Sequence, residues 1–114
     1  MKGAVSTVLV TFPDKNLAIK ISKHMLAERM AACANLFPID SYFWWNGKIE
    51  ESEEWAGLYK IRTEDFDRVC REIRTMHPYE VPCIVRYDVA DGLAEYMGWV
   101  KAETAQPSSG SPSR

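Results

Sequence analysis

The sequence predicts an α+β fold: one βαββαβ sandwich with an over-long central hairpin and an extra C-terminal helix. Three observations predict it. Two stretches of helical periodicity alternate with runs of β-branched and aromatic residues in the order β-α-β-β-α-β. Between the two middle runs stands Asn46-Gly47, the strongest short hairpin signal, since a type I′ turn needs positive φ at both central residues. The flanks are long and aromatic, with Tyr42, Phe43, Trp44 and Trp45 before the turn and Trp55 and Tyr59 after it. An arm of a dozen residues reaches about 40 Å at strand rise, more sheet than a small domain covers with its own helices.

Val5 to Phe12 is rich in β-branched residues and reads as the first strand. Pro13-Asp14 ends it and opens a helix, in which Leu17, Ala18, Ile21, Met25 and Leu26 recur at helical spacing. That helix is expected to break near Met30. The second strand runs from Cys33 to Trp45, and Pro38 within it marks a bulge or an edge position. The third runs from Lys48 to Arg62, acidic at first (Glu50, Glu51, Glu53, Glu54) and half-buried from Trp55 onward.

Thr63 is the expected N-cap of the second helix, with Glu64 and Asp65 favoured by the dipole in its first turn. Phe66, Val69, Cys70, Ile73 and Met76 make its apolar stripe, and His77-Pro78 ends it. Val81 to Val89 is the expected fourth strand, and Asp91-Gly92 the expected cap of a third helix through Leu93, Tyr96, Met97 and Val100. Residues 1–104 read as one domain and 105–114 as a disordered tail, because Gln106 to Arg114 holds no apolar residue beyond proline. Two right-handed crossovers with a hairpin between them give the ferredoxin-like sandwich: an antiparallel sheet with both main helices on one face. The other face asks for a partner.

Bulk properties exclude several classes of function. The 114 residues are 46% hydrophobic and 26% charged with a net charge of −2, an ordinary globular composition without the basic patch that nucleic acid requires. No apolar run approaches a membrane span, and no signal-peptide pattern is visible. The three cysteines, Cys33, Cys70 and Cys83, are odd in number and widely spread, which predicts a reducing, cytoplasmic setting. The Tyr42–Trp45 stripe lacks interleaved basic residues and so makes a poor base-stacking platform. No Gly-x-Ser-x-Gly, phosphate-binding loop or His-Glu-x-x-His occurs, so no enzyme class is indicated.

Four stretches stand out: Glu28-Arg29-Met30-Ala31-Ala32-Cys33-Ala34-Asn35; Trp45-Asn46-Gly47-Lys48-Ile49-Glu50-Glu51 with Glu54 and Lys60 following; His77-Pro78-Tyr79-Glu80-Val81-Pro82; and Tyr96-Met97-Gly98-Trp99-Val100. Together they resemble the CutA family of divalent-cation-tolerance proteins. The resemblance implies a homotrimer whose long hairpin wraps a neighbour, and kinship in architecture with PII signalling proteins, whose trimers bind small effectors between subunits. It also implies a link to tolerance of copper and other divalent cations, with no enzymatic reaction established. A mammalian relative is linked to acetylcholinesterase maturation. The chain departs from the family pattern at Cys83, where a carboxylate is usual, at Ile61, where threonine is usual, and at Trp44, where a more polar residue is usual.

Two constellations follow. His77, Cys83, Cys33 and Glu80 are residue types that coordinate Cu²⁺ or another divalent metal, weakly in the absence of chelating pair motifs. The competing reading makes both cysteines small buried hydrophobes and His77 a helix terminator. Cys70 is assigned to the core and His24 to the solvated surface. Trp45, Lys48, Glu54, Lys60 and Tyr79, with His77 beside them, mix aromatic and charged types as an inter-subunit ligand cleft would. There Lys60 is expected to pair with Glu54 or with an acid of a partner chain, either as part of that cleft or as an ion pair fixing register. The expected trimer interface is Tyr42, Phe43, Trp44, Trp45 and Trp55. The function expected is a non-enzymatic, self-associating cation-tolerance protein, with a PII-like sensor of a small anionic effector as the alternative.

Overall fold

The computed structural model describes residues 4–105. The elements are β1 (Val5–Phe12), α1 (Lys15–Ala27), β2 (Cys33–Trp45), β3 (Lys48–Arg62), α2 (Phe66–Met76) after a 3₁₀ turn at Thr63–Asp65, β4 (Ile84–Asp88) and α3 (Ala94–Thr104). The sheet order is β2-β3-β1-β4 with every pairing antiparallel, the expected ferredoxin-like arrangement. No helix among the described residues is long and apolar enough to cross a membrane. Of the expected tail, Ala105 caps α3 and residues 106–114 lie outside the described residues.

Alternation sorts the strands into two faces. Val8, Val10 and Phe12 of β1 and Tyr59 and Ile61 of β3 meet Ala18, Ile21 and Met25 of α1 and Val69 and Ile73 of α2 in one buried core. Each buried Val, Ile, Met or Phe side chain among them contributes about 1.5–3 kcal/mol of transfer free energy. The opposite face carries Thr7, Leu9 and Thr11, then Ala56, Leu58 and Lys60, with Phe37, Val85 and Tyr87 exposed on it. At one end of the sheet α3 approaches this face, where the Tyr96 hydroxyl lies 3.1 Å from Cys33 Sγ.

Asp14 caps α1 as expected, its Oδ1 accepting from the Leu17 N–H at 2.8 Å. The helix ends at Ala27, before the expected Met30. Arg29 adopts φ 58°, and the N–H groups of Arg29 and Met30 donate to Leu26 O at 3.1 Å and Met25 O at 3.0 Å. This is a Schellman stop with arginine where glycine is usual. The side chain is held there by Glu103, whose carboxylate lies 2.7 Å from Arg29 Nη1.

The hairpin turns at Asn46 (φ 51°) and Gly47 (φ 78°), as the type I′ reading requires. Its register runs unbroken from Trp45↔Lys48 to Cys33↔Lys60, so Pro38 marks an edge and not a bulge. β1 pairs with β3 only from Trp55 to Arg62, which leaves the rest of the hairpin as a two-stranded ribbon beyond the sheet. Such a ribbon is marginal in water by itself.

Three local expectations are corrected. Thr63 caps no helix, because its hydroxyl donates to Ser6 Oγ at 2.5 Å while Ser6 donates on to Asp88 Oδ1 at 2.8 Å. β4 starts at Ile84 and not at Val81, since Pro82 supplies no N–H to a ladder. Asp91 caps nothing beyond the next N–H, that of Gly92, and Leu93 precedes α3 without a side-chain cap.

Candidate functional site

The end of β1, the middle of β3 and the loop after α2 converge where the ribbon leaves the sheet. Pro78 stops α2 and turns His77 inward, where its ring stacks on Phe12 with centroids 5.6 Å apart. His77 Nδ1 accepts from the Tyr79 N–H at 3.2 Å, so Nε2 carries the proton and donates to Thr11 O at 2.7 Å. Both ring nitrogens are engaged, and His77 has no lone pair to offer a metal.

Tyr79 reaches back to β3, where its hydroxyl donates to Glu54 Oε2 at 2.5 Å. Glu54 is only 5% exposed. Burial first, and then the Glu54 carboxylate, push the Tyr79 phenol well above the usual tyrosine range. Cys83 lies beside the same groups. Burial raises its thiol, the Glu54 charge raises it further, and a hydrogen bond with Thr11 partly offsets both. The phenol and the thiol are thus held protonated at neutral pH.

Beyond Glu54 and Tyr79 an open groove of about 1050 Å³ runs along the ribbon. Its aromatic lining is Tyr42, Phe43, Trp44, Trp45 and Tyr79, and its acids are Asp40, Glu50, Glu51, Glu54 and Glu80. Among the described residues no lysine, arginine or histidine lines it. Trp44 is 72% exposed and Tyr42 68%, so the ribbon offers its rings to something outside the chain.

Within one chain the expected metal set does not converge as a whole: Glu80 and Cys83 both line the groove, while Cys33 stands apart. Cys33 lies opposite Lys60 and Thr7 on one edge strand, while Cys83 directly precedes the strand on the other edge. Three strand spacings and four residues of rise separate these cysteines by about 20 Å. Among the described residues no group of three or more His, Cys, Asp or Glu side chains is placed to hold a metal ion. Cys70 is half-buried, less deep than expected, and His24, with a third of its side chain exposed, also lies 3.3 Å from Glu72.

Of the expected cleft, Trp45, Glu54 and Tyr79 come together on the groove, while Lys48 and Lys60 stand off it. Lys60 sits six residues from Glu54 on the same strand, about 20 Å away, so the two do not pair within the chain. Of the expected interface, Trp55 turns to the helix side, packs against the protomer's own core and holds Lys15 over its ring at 5.1 Å. Sequence reasoning missed Thr11 and Asp40. Neither belongs to a recognisable motif, and the strand register alone brings them in.

A family model described as CutA1 divalent ion tolerance protein matches residues 6–103. A divalent-cation tolerance protein CutA of Archaeoglobus fulgidus is 42% identical over 93 residues, 82% of this chain and 91% of the relative. Protein CutA of Homo sapiens is 36% identical over 103 residues, 90% of this chain and 58% of the relative. The solved structure from Archaeoglobus fulgidus, named as a periplasmic divalent cation tolerance protein, superimposes with a TM-score of 0.86 at 39% identity, covering 88% of this chain and 98% of that one. CutA1 from Oryza sativa superimposes with a TM-score of 0.85 at 29% identity, covering 88% and 93%.

Proposed function

The chain belongs to the CutA1 divalent ion tolerance family, and on that premise we propose that it is a non-enzymatic, cytoplasmic homotrimer that binds copper or another divalent cation weakly. The observation that carries the cation reading is the ribbon groove, whose acids face no basic side chain among the described residues. Its potential draws cations and repels anions. The same lining speaks against a small anionic effector in this groove, so the PII-like alternative gains no support from it.

Weakness follows from the ligand set. Copper prefers imidazole and thiolate, but His77 has no free lone pair and Cys83 is held as a thiol. Carboxylates spread along a groove attract a cation without enclosing it. The state of His77 and Cys83 supports binding over catalysis, since neither stands ready as a base or nucleophile. Self-association is supported by the exposed ribbon aromatics and by Phe37, Val85 and Tyr87 on the bare face. The free cysteines support a reducing compartment.

Calorimetric titration of the assembled protein with Cu²⁺ tests this reading. The expected result is saturable binding with Kd of roughly tens of micromolar or weaker, reduced several-fold in Glu50→Gln/Glu51→Gln and by less in Cys83→Ser. Nanomolar binding unchanged in both variants would overturn it.

A further inference from the structure

We propose that in the assembled protein Lys60 of one copy pairs with Glu54 of the next, so that each buried carboxylate receives its counter-charge from a sister chain. The inference rests on the self-association proposed above and adds the pair that fixes its register.

Glu54 is 5% exposed, and its carboxylate accepts one hydrogen bond, from Tyr79. Among the described residues no lysine, arginine or histidine nitrogen lies within 4.0 Å of it. Burying a carboxylate without a cation is costly, and one charge-assisted hydrogen bond offsets only part of that cost. The carboxylate is half-compensated inside one chain. Its uncancelled charge is felt by its neighbours, since it helps push both Tyr79 and Cys83 upward.

Lys60 is the complementary orphan. It is half-buried on β3, flanked in register by Cys33 and Thr7, and it forms no ion pair among the described residues. Glu54 and Lys60 share strand parity, so both stand on the bare face of the sheet. They are about 20 Å apart along one strand, beyond the combined reach of the two side chains. Between and around them lie Phe37, Val85 and Tyr87, exposed apolar residues that require cover. A head-to-tail ring laid on this face sets one end of β3 against the other end in the next copy. That arrangement cancels both charges at every interface.

A charge exchange tests the pair. Wild type, Glu54→Lys, Lys60→Glu and the double exchange are compared by light scattering and native mass spectrometry, with circular dichroism to follow folding. Each single variant is expected to raise the half-dissociation concentration by about tenfold or more, and the double exchange to bring it back to within about threefold of wild type. An assembled wild type whose double exchange is no better than the weaker single overturns the pair alone. A wild type that runs as a single chain overturns the self-association and the pair with it. If the single variants fail to fold, zero-length carbodiimide coupling of wild type mixed from light- and heavy-nitrogen chains takes their place. Peptides joining residue 54 to residue 60 across the two isotopes are expected, and their absence from an assembled sample overturns the pair.

Discussion

Replacing Tyr79 by phenylalanine removes one hydroxyl and little else, and the structure gives the cost. That hydroxyl donates at 2.5 Å to a carboxylate that is 5% exposed and has no other hydrogen-bond donor among the described residues. A bond to a charged acceptor contributes about 1.5–3 kcal/mol, and stranding the buried acceptor adds a desolvation penalty. Part of that penalty is relieved by the open groove. We expect a loss of about 2 kcal/mol, or about 8–16 °C in midpoint for a domain of this size. The assay is urea unfolding followed by tryptophan fluorescence at one fixed chain concentration, because assembly adds its own concentration dependence. Glu54→Gln should cost less, since its amide is neutral, and the double variant should fall short of the sum by about 1 kcal/mol or more. The pH profile adds a second check. The Tyr79 phenol is held above its free value of about 10, so its contribution is complete below that pH and fades as the solution climbs toward the folded value. The gap between wild type and Tyr79→Phe should therefore begin to close above pH ~10. Tyr59, raised to about 12 chiefly by burial, titrates in both proteins and cancels in the difference. A coupling below about 0.5 kcal/mol would refute the argument.

Two further outcomes are expected. In Gly57→Ala the new methyl would lie 2.9 Å from the Tyr59 hydroxyl oxygen and 3.0 Å from two ring carbons. That ring is fully buried and its hydroxyl is tied to Ser22 at 2.7 Å, so the overpacking should cost about 1–3 kcal/mol in the same urea assay, and a neutral result would mean the ring yields. In a Cys33→Ser/Cys70→Ser background, maleimide labelling of Cys83 should be slow at neutral pH. Glu54→Gln should shift its rate profile to lower pH, since one cause of the raised thiol is gone, and identical profiles would contradict that cause.

Most of the fold was legible because local chemistry and tertiary packing agree in this chain. Asn46-Gly47 demands one turn type, β-branched and aromatic runs flank it, and the apolar stripes of α1 and α2 match the faces they bury. The boundaries that were misplaced have tertiary causes. Arginine is a poor residue for positive φ, and its own propensity gave no sign that α1 stops at Ala27. The stop is held by the Schellman bonds and by Glu103, 74 residues further on. Thr63 looked like a cap because its sequence neighbours suit one, yet its hydroxyl is taken by Ser6, which is remote in sequence.

The site was less legible, for a reason that register makes plain. Residue types can suggest a metal, but only strand order shows that Cys33 and Cys83 occupy opposite edges of the sheet. Only the carbonyl of Thr11 and the N–H of Tyr79 show that the His77 ring is fully engaged. The Glu54–Lys60 pairing within one chain fails for a different reason. Two residues of equal parity on one strand share a face, and six residues of extended chain carry them about 20 Å apart. That arithmetic needs no coordinates. It already says that a buried acid and a half-buried lysine so placed cannot neutralise each other in one chain. Two opposite charges stranded at fixed separation on one open sheet face specify an offset, and copies displaced in turn by that offset and closed into a ring satisfy both.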